Sequence, residues 1–164
     1  MLRIAIAAVG VLALALTGCS SVPYTAPTPK SLELAGTWVG TDSVTQANIV
    51  VSVPIKWTTT QNGTTLTGPV EITAPTGVVI GGTANGTISG SQISGYQIAF
   101  TMSLPPGTYS ALGSSGCTAS ISGTLSATAT TISGTVTYRY NQTCVDSGLV
   151  TVLTEMQQYS MTKQ

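Results

Sequence analysis

Histidine is absent from this 164-residue chain, so three cysteines and five carboxylates carry most of its capacity for chemistry. The cysteines are Cys19, Cys117 and Cys144; the carboxylates are Glu33, Asp42, Glu71, Asp146 and Glu155. Without an imidazole, a hydroxyl or thiol nucleophile lacks its commonest base. No pair of cysteines has C-x-x-C spacing, so neither a metal nor another cofactor is expected. Two carboxylates flanking one cleft could hydrolyse a glycosidic bond. Asp42 with Glu155 is the pair that the first and last strands could bring together. The preferred reading makes both of them solvated or rim charges, and the chain is not expected to be an enzyme.

Cys19 has a different chemistry available. Met1 to Cys19 carries one positive charge, Arg3, then an Ala/Val/Ile/Leu run over 4–16, then the small residues Thr17 and Gly18. That order reads as a secretory signal, and the apolar run is shorter than the roughly 20 residues that span a bilayer. Leu16-Thr17-Gly18-Cys19 resembles the lipobox of bacterial lipoproteins. The resemblance implies cleavage before Cys19, a diacylglycerol on its thiol and a further acyl chain such as palmitate on the new amino group. Each buried methylene contributes about 0.8 kcal/mol, so two or more chains anchor stably. Ser20 stands where an aspartate would resemble an inner-membrane retention signal, which places the expected anchor at the outer membrane. Residues 1–18 are then a signal peptide, 19–34 a lipidated cysteine with its tether, and 35–164 one folded domain. The tether carries Pro23, Pro27 and Pro29, which favour extended chain.

Removing Cys19 from the count leaves a pair. In an oxidising compartment such a pair usually bridges, and a Cys117–Cys144 disulfide is preferred over a redox pair. Charged residues make up 6% of the chain and the formal net charge is zero, so nucleic acid is not an expected partner. Expected partners are the membrane, through the anchor, and either a small apolar or amphipathic ligand or, alternatively, another envelope protein or the cell wall.

The remaining sequence alternates apolar with Ser and Thr residues, the pattern of half-buried strands. Asn62-Gly63 suits a type I′ turn, which would set Thr59 opposite Leu66, Trp57 opposite Gly68 and Ile55 opposite Val70. A second hairpin is expected over Cys117 to Cys144. A turn at Thr130-Thr131 would place the two cysteines opposite each other, and a turn one residue earlier would place them diagonally. Between these hairpins, Ile80–Ser89 and Gln92–Leu104 pair, with Ile93 out of phase and a bulge expected at Ser94-Gly95. With 37–44 first and 149–162 last, about eight strands are expected in an antiparallel up-and-down barrel, the alternative being a two-sheet sandwich. Gly68, Gly82, Gly86, Gly123 and Gly134 fall on the inward face, where glycine permits sharp bending. A membrane-spanning barrel would reverse the pattern, apolar outside and polar inside.

Gly36-Thr37-Trp38 opens the folded part and resembles the first strand of lipocalins and avidins. The repeated Leu66-Thr67-Gly68, Ile88-Ser89-Gly90 and Ile132-Ser133-Gly134 units are similar to avidin strands and to small bacterial lipocalin-like lipoproteins with a paired cysteine. The resemblance implies a β-barrel whose tryptophan, here Trp38, closes one end. Lipocalins place an arginine near the last strand against that ring; here only Lys163 could stand in. The further tryptophans of a biotin site are missing, since Trp57 is the other one in the chain.

Trp57, Tyr96, Phe100, Tyr138 and Tyr140 are expected to share the interior. They either fill it, or line an apolar cavity with tyrosine hydroxyls as polar handles. Trp38 and these five are the candidate ligand-contacting residues.

Overall fold

Strict alternation of apolar and hydroxyl side chains can be satisfied only if every strand turns one face away from water. The computed structural model describes residues 32–46 and 48–164; Cys19, its leader and the proline-rich stretch lie outside the described residues. The strands are β1 (Gly36–Gln46), β2 (Ile49–Asn62), β3 (Thr65–Thr73), β4 (Val79–Ser91), β5 (Gly95–Leu104), β6 (Ala119–Ala127), β7 (Thr131–Tyr140) and β8 (Thr154–Lys163). Each pairs antiparallel with the next, and β1 pairs with β8, so the sheet closes into a barrel. The closed order excludes the sandwich. Buried positions inside the barrel are mostly apolar, and the outward positions of β5 and β6 carry Gln97, Thr101, Ser120, Ser122 and Ser126. This is the reverse of a lipid-facing barrel.

The inward glycines make room for closure. A Cβ on Gly68 would lie 1.8 Å from the Thr58 carbonyl oxygen, and one on Gly123 would lie 2.4 Å from that of Thr135. On Gly82 and Gly86 it would strike Leu104 and Ile98, each at 2.7 Å. Gly40 serves the closing seam itself, where a Cβ would sit 1.8 Å from the Ser160 carbonyl oxygen.

Two expected turns move, and a third takes the earlier of its two expected positions. The β2–β3 turn is Gly63-Thr64, with Gly63 at φ 59, and pairs Asn62 with Thr65, Trp57 with Val70 and Ile55 with Ile72. Gly is favoured at the first central position of a tight hairpin turn. Moving the turn one place shifts every partner by two, so all residues keep the expected face. The β6–β7 turn lies one residue earlier than Thr130-Thr131, pairing Ala127 with Ile132. At Ser94-Gly95 there is no bulge within a strand. Ser91 pairs with Gly95, and Ile93 is 99% exposed in the intervening turn, which explains its phase.

The middle of the barrel is filled by rings. Trp57 meets Phe100 edge-on at 5.3 Å, and Phe100 meets Tyr159 at 5.7 Å. The end near the start of β1 is shut. Trp38 is fully buried and donates from Nε1 to the Leu34 carbonyl at 2.9 Å, and Thr59 Oγ1 donates to the same oxygen. Lys163 Nζ lies 5.5 Å from the Trp38 ring centroid, in the place expected for an arginine stand-in. Leu34, assigned to the tether on sequence, is fully buried here, and Gln61 donates from Nε2 to the Leu32 carbonyl. The chain is thus fastened to the barrel a few residues before 35.

Gly40→Ala should break the β1–β8 seam, because its neighbour is backbone and cannot step aside. We expect a loss of about 3 kcal/mol in urea unfolding, the upper range for overpacking. Gly81→Ala, whose Cβ would meet nothing nearer than 3.8 Å, should stay within about 0.5 kcal/mol of the parent.

Candidate functional site

Strand direction places the β1–β2, β3–β4, β5–β6 and β7–β8 connections together, at the end opposite Trp38. A cavity of about 310 Å³ opens among them. Its walls are largely apolar, with Val53, Ile72, Leu104, Leu112 and Val150 among them. The deepest polar lining residues are Asp42 and Tyr138, each 3% exposed.

Alternation puts Asp42 here. Trp38, Gly40, Asp42 and Val44 occupy one face of β1, and the tryptophan fixes that face as inward. On β8, Gln157, Tyr159 and Met161 point inward by the same rule. The β1–β8 register sets Asp42 beside Tyr159. Tyr138 donates its hydroxyl proton to Asp42 Oδ2 at 2.7 Å. Its oxygen also lies 2.7 Å from the Tyr159 hydroxyl. With Tyr138's single proton committed to the carboxylate, Tyr159 must donate to Tyr138. Both phenolic protons therefore point along one chain toward Asp42. The other carboxylate oxygen, Oδ1, is buried without a hydrogen-bond partner.

Burial pushes Asp42 up from 3.8 to about 7; the Tyr138 hydrogen bond opposes this and the nearby Glu155 adds to it. Burial also raises Tyr109, Tyr138, Tyr140 and Tyr159 above the usual phenol value. Those phenols remain protonated at neutrality, while Asp42 changes charge there. Glu155 lines the same cavity and accepts from Gln157 Nε2 at 2.9 Å. The two carboxylates thus border one site, and Asp42 is not the solvated rim charge that the sequence suggested. Among the described residues no group of three or more His, Cys, Asp or Glu side chains is placed to hold a metal ion. What the site offers is charge pairing, hydrogen bonding and apolar contact.

The expected aromatic set divides. Tyr138 and Tyr140 line the cavity and stack at 5.7 Å. Trp57 and Phe100 are packed in the barrel's middle, below the cavity. Tyr96 is half-buried near the β4–β5 turn, at the shut end, and Trp38 plugs that end. Sequence reasoning missed Tyr109 and Leu112, which enter from a connection with no periodic pattern to read, and it put Val150 in the last strand, which begins only at Thr154. It also missed Tyr159, although alternation from Met161 would have found it.

Two of those connections are tied together. Cys117 and Cys144 form a disulfide, with Cα atoms 4.6 Å apart. Cys144 lies in a short helix, α1 (Gln142–Asp146), and not on a continued β7 as expected. Asn141 reinforces the tie, donating from Nδ2 to the Gly116 carbonyl and accepting from the Thr118 amide. The bridge therefore holds the loop carrying Tyr109 against the loop carrying Val150. No protein-family model, curated protein or solved structure matches the chain.

The raised Asp42 value has a definite consequence for stability. Folded Asp42 keeps its proton up to about pH 7, while the unfolded chain releases it near 3.8. The folded state thus binds more protons between these values, and stability falls as pH rises through them, by about 1.4 kcal/mol per pH unit between roughly pH 5 and 7. Urea unfolding at a series of pH values should show this slope, and Asp42→Asn should remove it.

Proposed function

We propose that the protein is a lipid-anchored protein of the bacterial cell envelope whose barrel binds one small, mostly apolar molecule and catalyses no reaction. The observation that carries the binding reading is the cavity of about 310 Å³ at one end of a barrel shut at the other. Concave, mostly apolar sites of this size with a few convergent polar groups suit small ligands. The apolar walls supply affinity, and the Asp42–Tyr138–Tyr159 chain supplies orientation. Leu16-Thr17-Gly18-Cys19 supports the anchor, and Ser20 supports the outer membrane as its location.

The approach to the cavity is also apolar. Ile49, Val50, Val79, Val152, Leu153 and Met156 are exposed, and all belong to the cavity end. They give an apolar ligand an apolar entry. They also favour a second reading, in which this rim contacts another envelope protein.

Native mass spectrometry of the protein extracted from its host tests the first reading. A retained mass that heat or organic solvent releases is expected. A chain that carries no extra mass and takes up no apolar probe would refute it, and a stoichiometric protein partner bound through the rim would support the second. For the anchor, radioactive palmitate should label the parent and not Cys19→Ser; equal labelling would refute it.

A further inference from the structure

The cavity has an imbalance of charge. Asp42 and Glu155 line it, and among the described residues no lysine or arginine does. The described cations are placed elsewhere. Lys56 pairs with Glu71 at 3.1 Å on the outer face, Arg139 is exposed, and Lys163 lies over Trp38 at the shut end. Asp42 is nevertheless 97% buried, its Oδ2 held by Tyr138 and its Oδ1 without a donor. Leaving a buried carboxylate oxygen unpaired is costly, because water no longer compensates. The two tyrosines already direct both their protons toward this group. Once ionised, Asp42 is one donor short.

We propose that the cavity takes an amphipathic amine, with a protonated amino group at Asp42 and an apolar body against Val53, Ile72, Leu104 and Val150. The proposal rests on the reading of the barrel as a small-molecule binder and names the class of ligand. An ammonium supplies both missing things at once, the hydrogen-bond donor and the positive charge. Glu155 adds a second negative charge to the same cavity, which strengthens the preference. An alcohol of equal length brings a donor without charge. A fatty acid brings a further carboxylate beside two others, and like charges in a poorly solvated site repel. The volume, at the low end for ligand sites, suits one short chain or one ring and leaves no room for a two-chain lipid.

The test uses the full-length protein and three probes of one chain length, octylamine, octanol and octanoate, titrated calorimetrically at pH 8. Octylamine is expected to bind about tenfold more tightly than octanol, the margin of a charge-assisted hydrogen bond over a neutral one. Octanoate should bind weakest. Asp42→Asn should erase the amine's advantage over the alcohol. Should that variant not fold, Glu155→Gln should narrow the advantage, and an undiminished one would count against the proposal. If octanol binds as well as octylamine, or octanoate binds best, the amine assignment is overturned and the small-ligand reading stands. If none of the three binds and the extracted protein retains no small molecule, the small-ligand reading itself falls.

Discussion

The pairing of β1 with β8 is the interaction on which the rest of this structure depends. Every other strand pair joins neighbours in sequence; this one joins the two ends of the folded chain. It runs from Trp38 opposite Lys163 to Ser43 opposite Gln158. Within that register Trp38 receives its lysine, Gly40 yields space to the Ser160 backbone, and Asp42 arrives beside Tyr159. The plug, the seam and the buried acid are thus set by one ladder. A slip of one residue would turn Trp38 and Asp42 outward together.

Closure then grades the interior along its axis. The shut end is sealed by Trp38, Leu34 and a hydrogen bond from the indole to backbone. The middle is a stack of edge-on rings, Trp57 on Phe100 on Tyr159. Eight strands enclose a space that side chains can just fill, and here they fill it only that far. Beyond Tyr159 the inward residues become Tyr138, Asp42 and Val44, and loops take over the walls. The disulfide and Asn141 hold two of those loops in place, so the cavity is bounded by fastened elements at its far side. Its deeply buried acid, Asp42, has phenols as its neighbours, and among the described residues no cation lines the same space.

Which residues face inward was legible from alternation, because most strands have a clean apolar set. Where the turns fall was less so. Asn62-Gly63-Thr64 admits two tight turns one residue apart, and both preserve the same buried face, so packing pattern does not distinguish them. The proximity of Cys117 to Cys144 was legible from hairpin geometry, although α1, and not a longer β7, delivers Cys144. Ile93 carried an apolar label into a turn, where local glycines at 90 and 95, both with positive φ, decide the path. Asp42 was the instructive miss. Its phase with Trp38 marked it as inward, but an aspartate is rarely buried without a partner. The partners, Tyr138 and Tyr159, come from distant strands whose register against β1 exists only after closure. The place of the cavity was hidden for the same reason, since much of its wall comes from connections without periodicity.

Closure buries one carboxylate, Asp42, at the base of an open cavity. The chain has two aspartates, Asp42 and Asp146, so a side-chain carboxyl carbon-13 titration of the full-length protein is simple to assign, with Asp42→Asn deleting one resonance. The Asp42 signal should titrate with a midpoint of about 7. A midpoint near the ordinary 3.8 would mean a solvated carboxylate and would overturn the burial of Asp42.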